Sequence, residues 1–192
     1  MSEPRQPQHP IHPQFPGRWS PRAFSGEPLP KAQLLSLFEA ARWAPSANNS
    51  QPWRFVYGIH GTPAFDALFG LLAPFNQTWA GNAGALILVA AKTVDDKGRT
   101  VGAPAFDSGA AWMSLALQAH ANGLFAHAMG GFDKAKAPEV VALPEDHIVL
   151  CMVAVGTYGD PAQLDEGLRA REAPNDRKPL EALVVEGRFG AP

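Results

Sequence analysis

Ala41-Arg-Trp-Ala-Pro-Ser-Ala-Asn-Asn-Ser-Gln-Pro-Trp53 is the stretch from which the rest of the chain can be read. Leu34, Leu35, Leu37, Phe38, Ala41 and Arg42 recur before it with a helical period, and Leu29-Pro30-Lys31 places a proline where a first turn tolerates one. Trp53-Arg-Phe-Val-Tyr-Gly follows it and predicts a strand over residues 53–59. Between the two lie Ser46, Asn48, Asn49, Ser50 and Gln51, framed by Pro45 and Pro52. Proline disfavours helix in the residue before it, so the helix is expected to fray near Ala44 and Gln51 to be extended. Such a loop can hold the hydrogen-bonding edge of a planar heterocycle or a sugar chain. It can equally be a polar turn whose side chains bond their own backbone, and other stretches must decide.

The 192 residues suit one domain with a sizeable core. Apolar residues make up 46% and charged residues 18%, and five Trp and eleven Phe against so few charges leave apolar surface for an oligomer interface or a flat ligand. A net charge of −2 without a Lys/Arg stripe argues against a nucleic-acid partner. The one cysteine, Cys151, gives neither a disulfide framework nor a thiolate metal site and reads as a small buried hydrophobe. Histidines at 9, 12, 60, 120, 127 and 147 show no ligand spacing, which disfavours a metal-dependent or hydrolytic enzyme. The polar, proline-rich N-terminus is not a signal peptide, and no apolar run reaches the ~18 residues of a membrane span, so a cytoplasmic protein is expected.

Taken in order, residues 1–16 carry a proline at every third place from Pro4 and predict an extended, flexible tail. Arg18 and Arg22 flank Ser20 in a loop and could grip an anion or a ring carbonyl through their planar forks. A short helix is expected over residues 64–72, a polar-aromatic loop at residues 76–79, a buried strand over residues 83–91 and a surface connection from Lys92 to Pro104. Asp107 is expected to cap a helix that is small or apolar almost all round, packed on several sides and stopped by Gly123. Gly130-Gly131 can bring bare backbone N–H groups to a ligand or simply turn into a helix over residues 133–142. Residues 147–155 predict another buried strand, and residues 160–192 a polar tail with one apolar patch, Leu180 to Val185.

The chain contains no Ser-His-Asp signature, no HExxH, no Walker loop and no GxGxxG after a strand. An enzyme without its own nucleophile, base or metal must borrow its chemistry from a cofactor. Four segments, in order, carry a resemblance: Ala-Arg-Trp-Ala-Pro-Ser-Ala-Asn-Asn-Ser-Gln-Pro-Trp; Asp107-Ser-Gly-Ala-Ala with Gln118-Ala and Asn122-Gly-Leu; Met129-Gly-Gly-Phe-Asp; and Arg177-Lys-Pro-Leu-Glu. Over residues 17–189 the sequence resembles the nitroreductase family of FMN-dependent oxidoreductases.

The resemblance implies an α+β, nitroreductase-like fold, with a central mixed β-sheet flanked by helices, in an intertwined homodimer with two FMN sites at the interface. Residues 1–16 would be the tail, and residues 17–192 a single FMN-binding domain with a C-terminal extension onto the partner subunit. Arg18, Trp19, Ser20 and Arg22 would lie against the phosphate and the pyrimidine edge of the flavin. Pro45, Ser46, Ala47, Asn49 and Gln51 would come from the other subunit over the ribityl chain and ring. Met129, Gly130 and Gly131 would follow the ring edge that accepts hydride, and Arg177 and Lys178 would reach the phosphate. Many members have two basic residues where this chain has Arg18-Trp19, and some bring a lysine to the pyrimidine carbonyl. No Lys or Arg lies between Arg54 and Lys92 here, so Asn76 or Gln77 would have to serve. The implied activity is ping-pong hydride transfer from NADPH or NADH to a nitroaromatic, quinone, enone or aldehyde, with no side chain as an essential acid or base. The alternatives are a non-catalytic flavin carrier or sensor, and the dehydrogenase or dehalogenase chemistry that the family also contains.

Overall fold

Alternation along two apolar strands sets the architecture. The computed structural model describes residues 5–188 and Gly190; residues 1–4 of the expected tail and positions 189 and 191–192 of the expected domain lie outside the described residues. Helices α1 (Gln14–Gly17) and α2 (Lys31–Arg42) precede strand β1 (Trp53–Ile59), helices α3 (Pro63–Phe69) and α4 (Pro74–Ala80), and strand β2 (Ala85–Lys92). Helix α5 (Pro104–Ala121), β3 (Phe125–Met129), α6 (Ala137–Val140), β4 (His147–Gly156) and α7 (Glu166–Arg169) complete the elements that matter here.

The four strands form one sheet in the order β1-β2-β4-β3. All three pairings are antiparallel, so within one chain the sheet is not the mixed one expected. Leu86, Leu88, Ala90, Met129, Met152 and Ala154 point to one face, where they meet Phe24, Phe65, Leu68 and Trp79. Ala85, Ile87, Val89, Ala126, Val153 and Val155 point to the other, against Leu34, Leu37 and Ala41 of α2 and Ala111, Leu115 and Ala119 of α5. This is the period of two that a strand imposes, and burial on both faces explains why β2 reads as an unbroken apolar run. One bulge interrupts it: Val89 pairs with Cys151 but Ala90 pairs with Val149, so Leu150 is extra and joins Cys151 on the α2/α5 side.

Several expectations change. The polar run at residues 76–79 is not a loop but part of α4; Pro74 presets the first turn, and Asn76 and Trp79, three apart, are both buried. Asp107 does not cap α5, which begins earlier at Pro104 after Ala103, a cap position without a side-chain hydrogen bond. Helix α5 is stopped at Gly123 (φ +72) as expected. It packs on several sides as expected, against α2, the sheet and α1, and leaves one stripe open in which Phe106 is 81% and Met113 37% exposed. The helix expected over residues 133–142 shrinks to α6, because Asp133 Oδ1 turns back to accept from Ala135 and Lys136 N–H and Ala142 leaves helical geometry at φ +50. The helix expected over residues 64–72 ends at Phe69. In the tail, residues 14–17 are helical rather than extended, and Gln14 Nε2 donates to Leu117 O of α5 at 2.7 Å.

Candidate functional site

The loop between α2 and β1 is built by three left-handed residues: Asn48 (φ 53), Asn49 (φ 54) and Gln51 (φ 46). Asparagine tolerates this region; Gln51 was expected to be extended and is instead held there by its partners. Gln51 N donates to Ser46 Oγ at 3.0 Å, and Gln51 Nε2 donates to Asn49 O at 3.2 Å. The Ala47 N–H donates to the buried carboxylate of Asp107 at 3.1 Å, which ties the loop to the first turn of α5. The polar groups of Ser46 and Gln51 therefore shape the loop itself, while Pro45, Ala47 and Asn49 remain exposed.

Arg18 and Arg22, read as one grip, part ways. Arg18 is half-buried, donates to Ser20 Oγ at 3.2 Å, and stands near Arg177 and Arg5. Burial, followed by the charges of Arg177 and Arg5, pushes its guanidinium below the ordinary arginine value. Arg5, Arg177 and Lys178 line a cavity of about 630 Å³ between the two ends of the chain. Arg5 lies outside all four matching segments, and nothing in its sequence context marks it.

Arg22 turns inward, with its guanidinium 5.9 Å from the Trp79 ring. Its own N–H and that of Ala23 both donate to Glu172 Oε1, at 2.7 and 2.8 Å, so the polar C-terminal segment clamps the arginine segment. His127 Nδ1 donates to Pro21 O at 2.9 Å and packs on Trp79 at 4.7 Å between ring centroids. Burial, with help from Arg22, lowers the His127 pKa from its ordinary value. Arg22 Nε and Trp79 Nε1 are buried without a hydrogen-bond partner among the described residues. Trp19 is committed to packing, edge-on to Phe125 (6.0 Å) and Tyr158 (5.7 Å).

The turn after β3 divides its three residues. Met129 is buried in the core, so only its backbone can meet a ligand. Gly131 O accepts from Ala73 N (3.0 Å) and Asn76 Nδ2 (2.8 Å), and a Cβ on Gly131 would lie 2.9 Å from that amide nitrogen. Gly130 is the open one: a Cβ there meets nothing within 4 Å among the described residues. Asn76 and Trp79 thus connect this turn to Arg22 through one face of α4. Gln77 is spent on Phe69 O at 3.3 Å.

An antiparallel sheet between two helical layers, a cationic cavity joining the chain ends and a bare glycine turn describe a binding fold whose chemistry comes from a bound group. The nitroreductase family model matches residues 16–60 and 60–157, and the chain belongs to that family. It is similar to an uncharacterized 15.4 kDa protein of Mycolicibacterium smegmatis, 37% identical over 72% of this chain and 99% of that one. It is also similar to YdgI of Bacillus subtilis strain 168, provisionally named an NAD(P)H nitroreductase, 29% identical over 77% of this chain and 85% of that one. Among solved structures, an oxidoreductase containing FMN superposes with a TM-score of 0.94 at 44% identity, over 98% of both chains.

Proposed function

We propose that the chain is an FMN-dependent oxidoreductase that takes hydride from NADPH or NADH and passes it to a small organic acceptor, a nitroaromatic, quinone, enone or aldehyde, in ping-pong order. The observation that carries this reading is the cavity between the two ends of the chain, where Arg5, Arg177 and Lys178 face a single carboxylate, Asp176, and Arg5 is bonded to the Arg18 carbonyl. Like charges gathered in this way are costly unless an anion joins them, and guanidinium forks match a phosphate. The 44%-identical oxidoreductase that contains FMN supports the choice of anion.

The residues fit the cofactor. Arg18, Arg177 and Lys178 would hold the phosphate. The unpartnered Arg22 Nε and Trp79 Nε1 leave two buried donors beside the arginine segment, and Arg22 would face the pyrimidine edge. FMN, when bound, supplies the hydride-accepting and hydride-donating centre. A cation at the pyrimidine edge stabilises the negative charge of the reduced state. Gly130 keeps the approach open because it has no side chain to block a substrate.

The site is completed by a second copy of the chain. β1 and β3 are the opposite edges of the sheet, three strand spacings or roughly 14 Å apart. The loop leading into β1 is anchored on α5, whereas Gly131 is anchored on α4, on the other face. Pro45, Ser46, Ala47, Asn49 and Gln51 would therefore cover the flavin bound at the partner's arginine segment, with the exposed stripe of α5 between the two chains and the apolar patch Leu180 to Val185 extending onto the partner.

The test is an absorbance spectrum of the purified protein followed by anaerobic addition of NADPH and then NADH. Oxidised-flavin bands that bleach with a nucleotide are expected. Bound flavin that does not bleach would make the protein a flavin carrier, and a colourless protein that refuses added FMN would overturn the reading.

A further inference from the structure

Arg5 has no place in the family resemblance, yet its Nη2 donates to the backbone carbonyl of Arg18, thirteen residues later, at 2.6 Å. It lines the same cavity as Arg177 and Lys178. The segment that carries it is attached along its length. Gln8 Oε1 accepts from Leu180 N at 2.7 Å, and Gln14 Nε2 donates to Leu117 O at 2.7 Å. At its end the chain passes so close to α5 that a Cβ on Gly17 would lie 2.7 Å from His120 Nε2. Pro7, Pro10, Pro13 and Pro16 stiffen it and reduce the entropy lost when it closes.

The arrangement is electrostatically unbalanced. Burial lowers the Arg5 pKa, Arg177 lowers it further, and Asp176 offsets this only in part. Three guanidinium groups thus share one neighbourhood. The bond to Arg18 O uses one of Arg5's five donors, and charge-assisted bonds to an anion suit the rest.

We propose that Arg5 is a third ligand for the cofactor's phosphate, carried by an N-terminal strap that closes over the phosphate end of the site. The proposal rests on the FMN reading above. The proline-rich segment is then part of the binding site, closed when the anion is present and easier to open without it.

The experiment compares wild type, Arg5→Gln and Arg5→Lys in the full-length chain stripped of flavin, titrating each with FMN and with riboflavin by fluorescence quenching at two salt concentrations. Arg5→Gln is expected to weaken FMN about tenfold, as for loss of one charge-assisted bond, and to leave riboflavin unchanged. Arg5→Lys should recover part of the loss, and salt should weaken FMN less in Arg5→Gln than in wild type. Equal FMN affinity in wild type and Arg5→Gln would overturn the assignment. Parallel loss of FMN and riboflavin would also overturn it, since the strap would then be a strut with no phosphate contact. Wild type that binds no FMN would instead sink the cofactor reading, and this proposal with it.

Discussion

Arg18 and Arg177 stand 159 positions apart in the chain, and the fold brings them into one neighbourhood at the cavity between its two ends. Arg18→Ala or Arg177→Ala is expected to weaken FMN binding by about 1.5–3 kcal/mol, the usual worth of a hydrogen bond to a charged group. Unchanged affinity in both variants, measured by titration, would contradict the phosphate role. Gly130→Val should preserve the melting temperature and slow flavin reduction, because the added atoms meet open space where substrate would approach. The same change at Gly131 strikes Asn76 and should lower stability first. His127 gives a pH prediction with a definite sign. Its folded pKa lies below the ordinary 6.5, so the unfolded chain takes up the proton more readily and stability falls as pH drops below that value. The melting temperature should fall more between pH 7.5 and pH 5.5 in wild type than in His127→Gln, and parallel curves would remove His127 from the account.

Three of the four strands were legible in the sequence, and β3, five residues long, was not. β1 was expected at its observed limits, and β2 and β4 within two residues, because β-branched and apolar runs bounded by glycine or proline leave few alternatives. Helix α4 was hidden because Asn76, Gln77 and Thr78 look like a loop; Asn76 is buried only because Gly131, 55 residues later, supplies a carbonyl for it. Asp107 misled in the same way: its carboxylate could cap its own helix but instead serves Ala47, sixty residues earlier. Tertiary partners decide such residues, and spacing along the chain does not display them. Asp107→Ala is expected to cost about 1–3 kcal/mol by leaving the Ala47 N–H without its acceptor. Urea unfolding measures the stability loss, and loosening of the loop should appear as faster amide exchange at Ala47. No change in either would mean that the loop is held by its own side chains.

The surface of a single chain is unfinished in two places. Along α5, Phe106, Gly109, Met113 and Leu117 form a stripe at helical spacing in which Phe106 and Met113 stay exposed, and Leu180, Leu183, Val184 and Val185 are exposed at the C-terminal end. Apolar surface of this kind on a small fold is what a second copy would cover. The flavin itself should therefore report where each chain's loop goes. The most direct measurement is FMN stoichiometry in a mixed form of the proposed dimer, one chain carrying Arg18→Ala and one chain with its Ala47–Gln51 loop replaced by glycines, at an FMN concentration too low to load either variant's homodimer. If the loop acts on the partner's site, one site of the mixed dimer has both defects and the other has neither, and one FMN per dimer is expected. If each chain used its own loop, both sites would stay defective, and a mixed dimer without flavin would contradict the account.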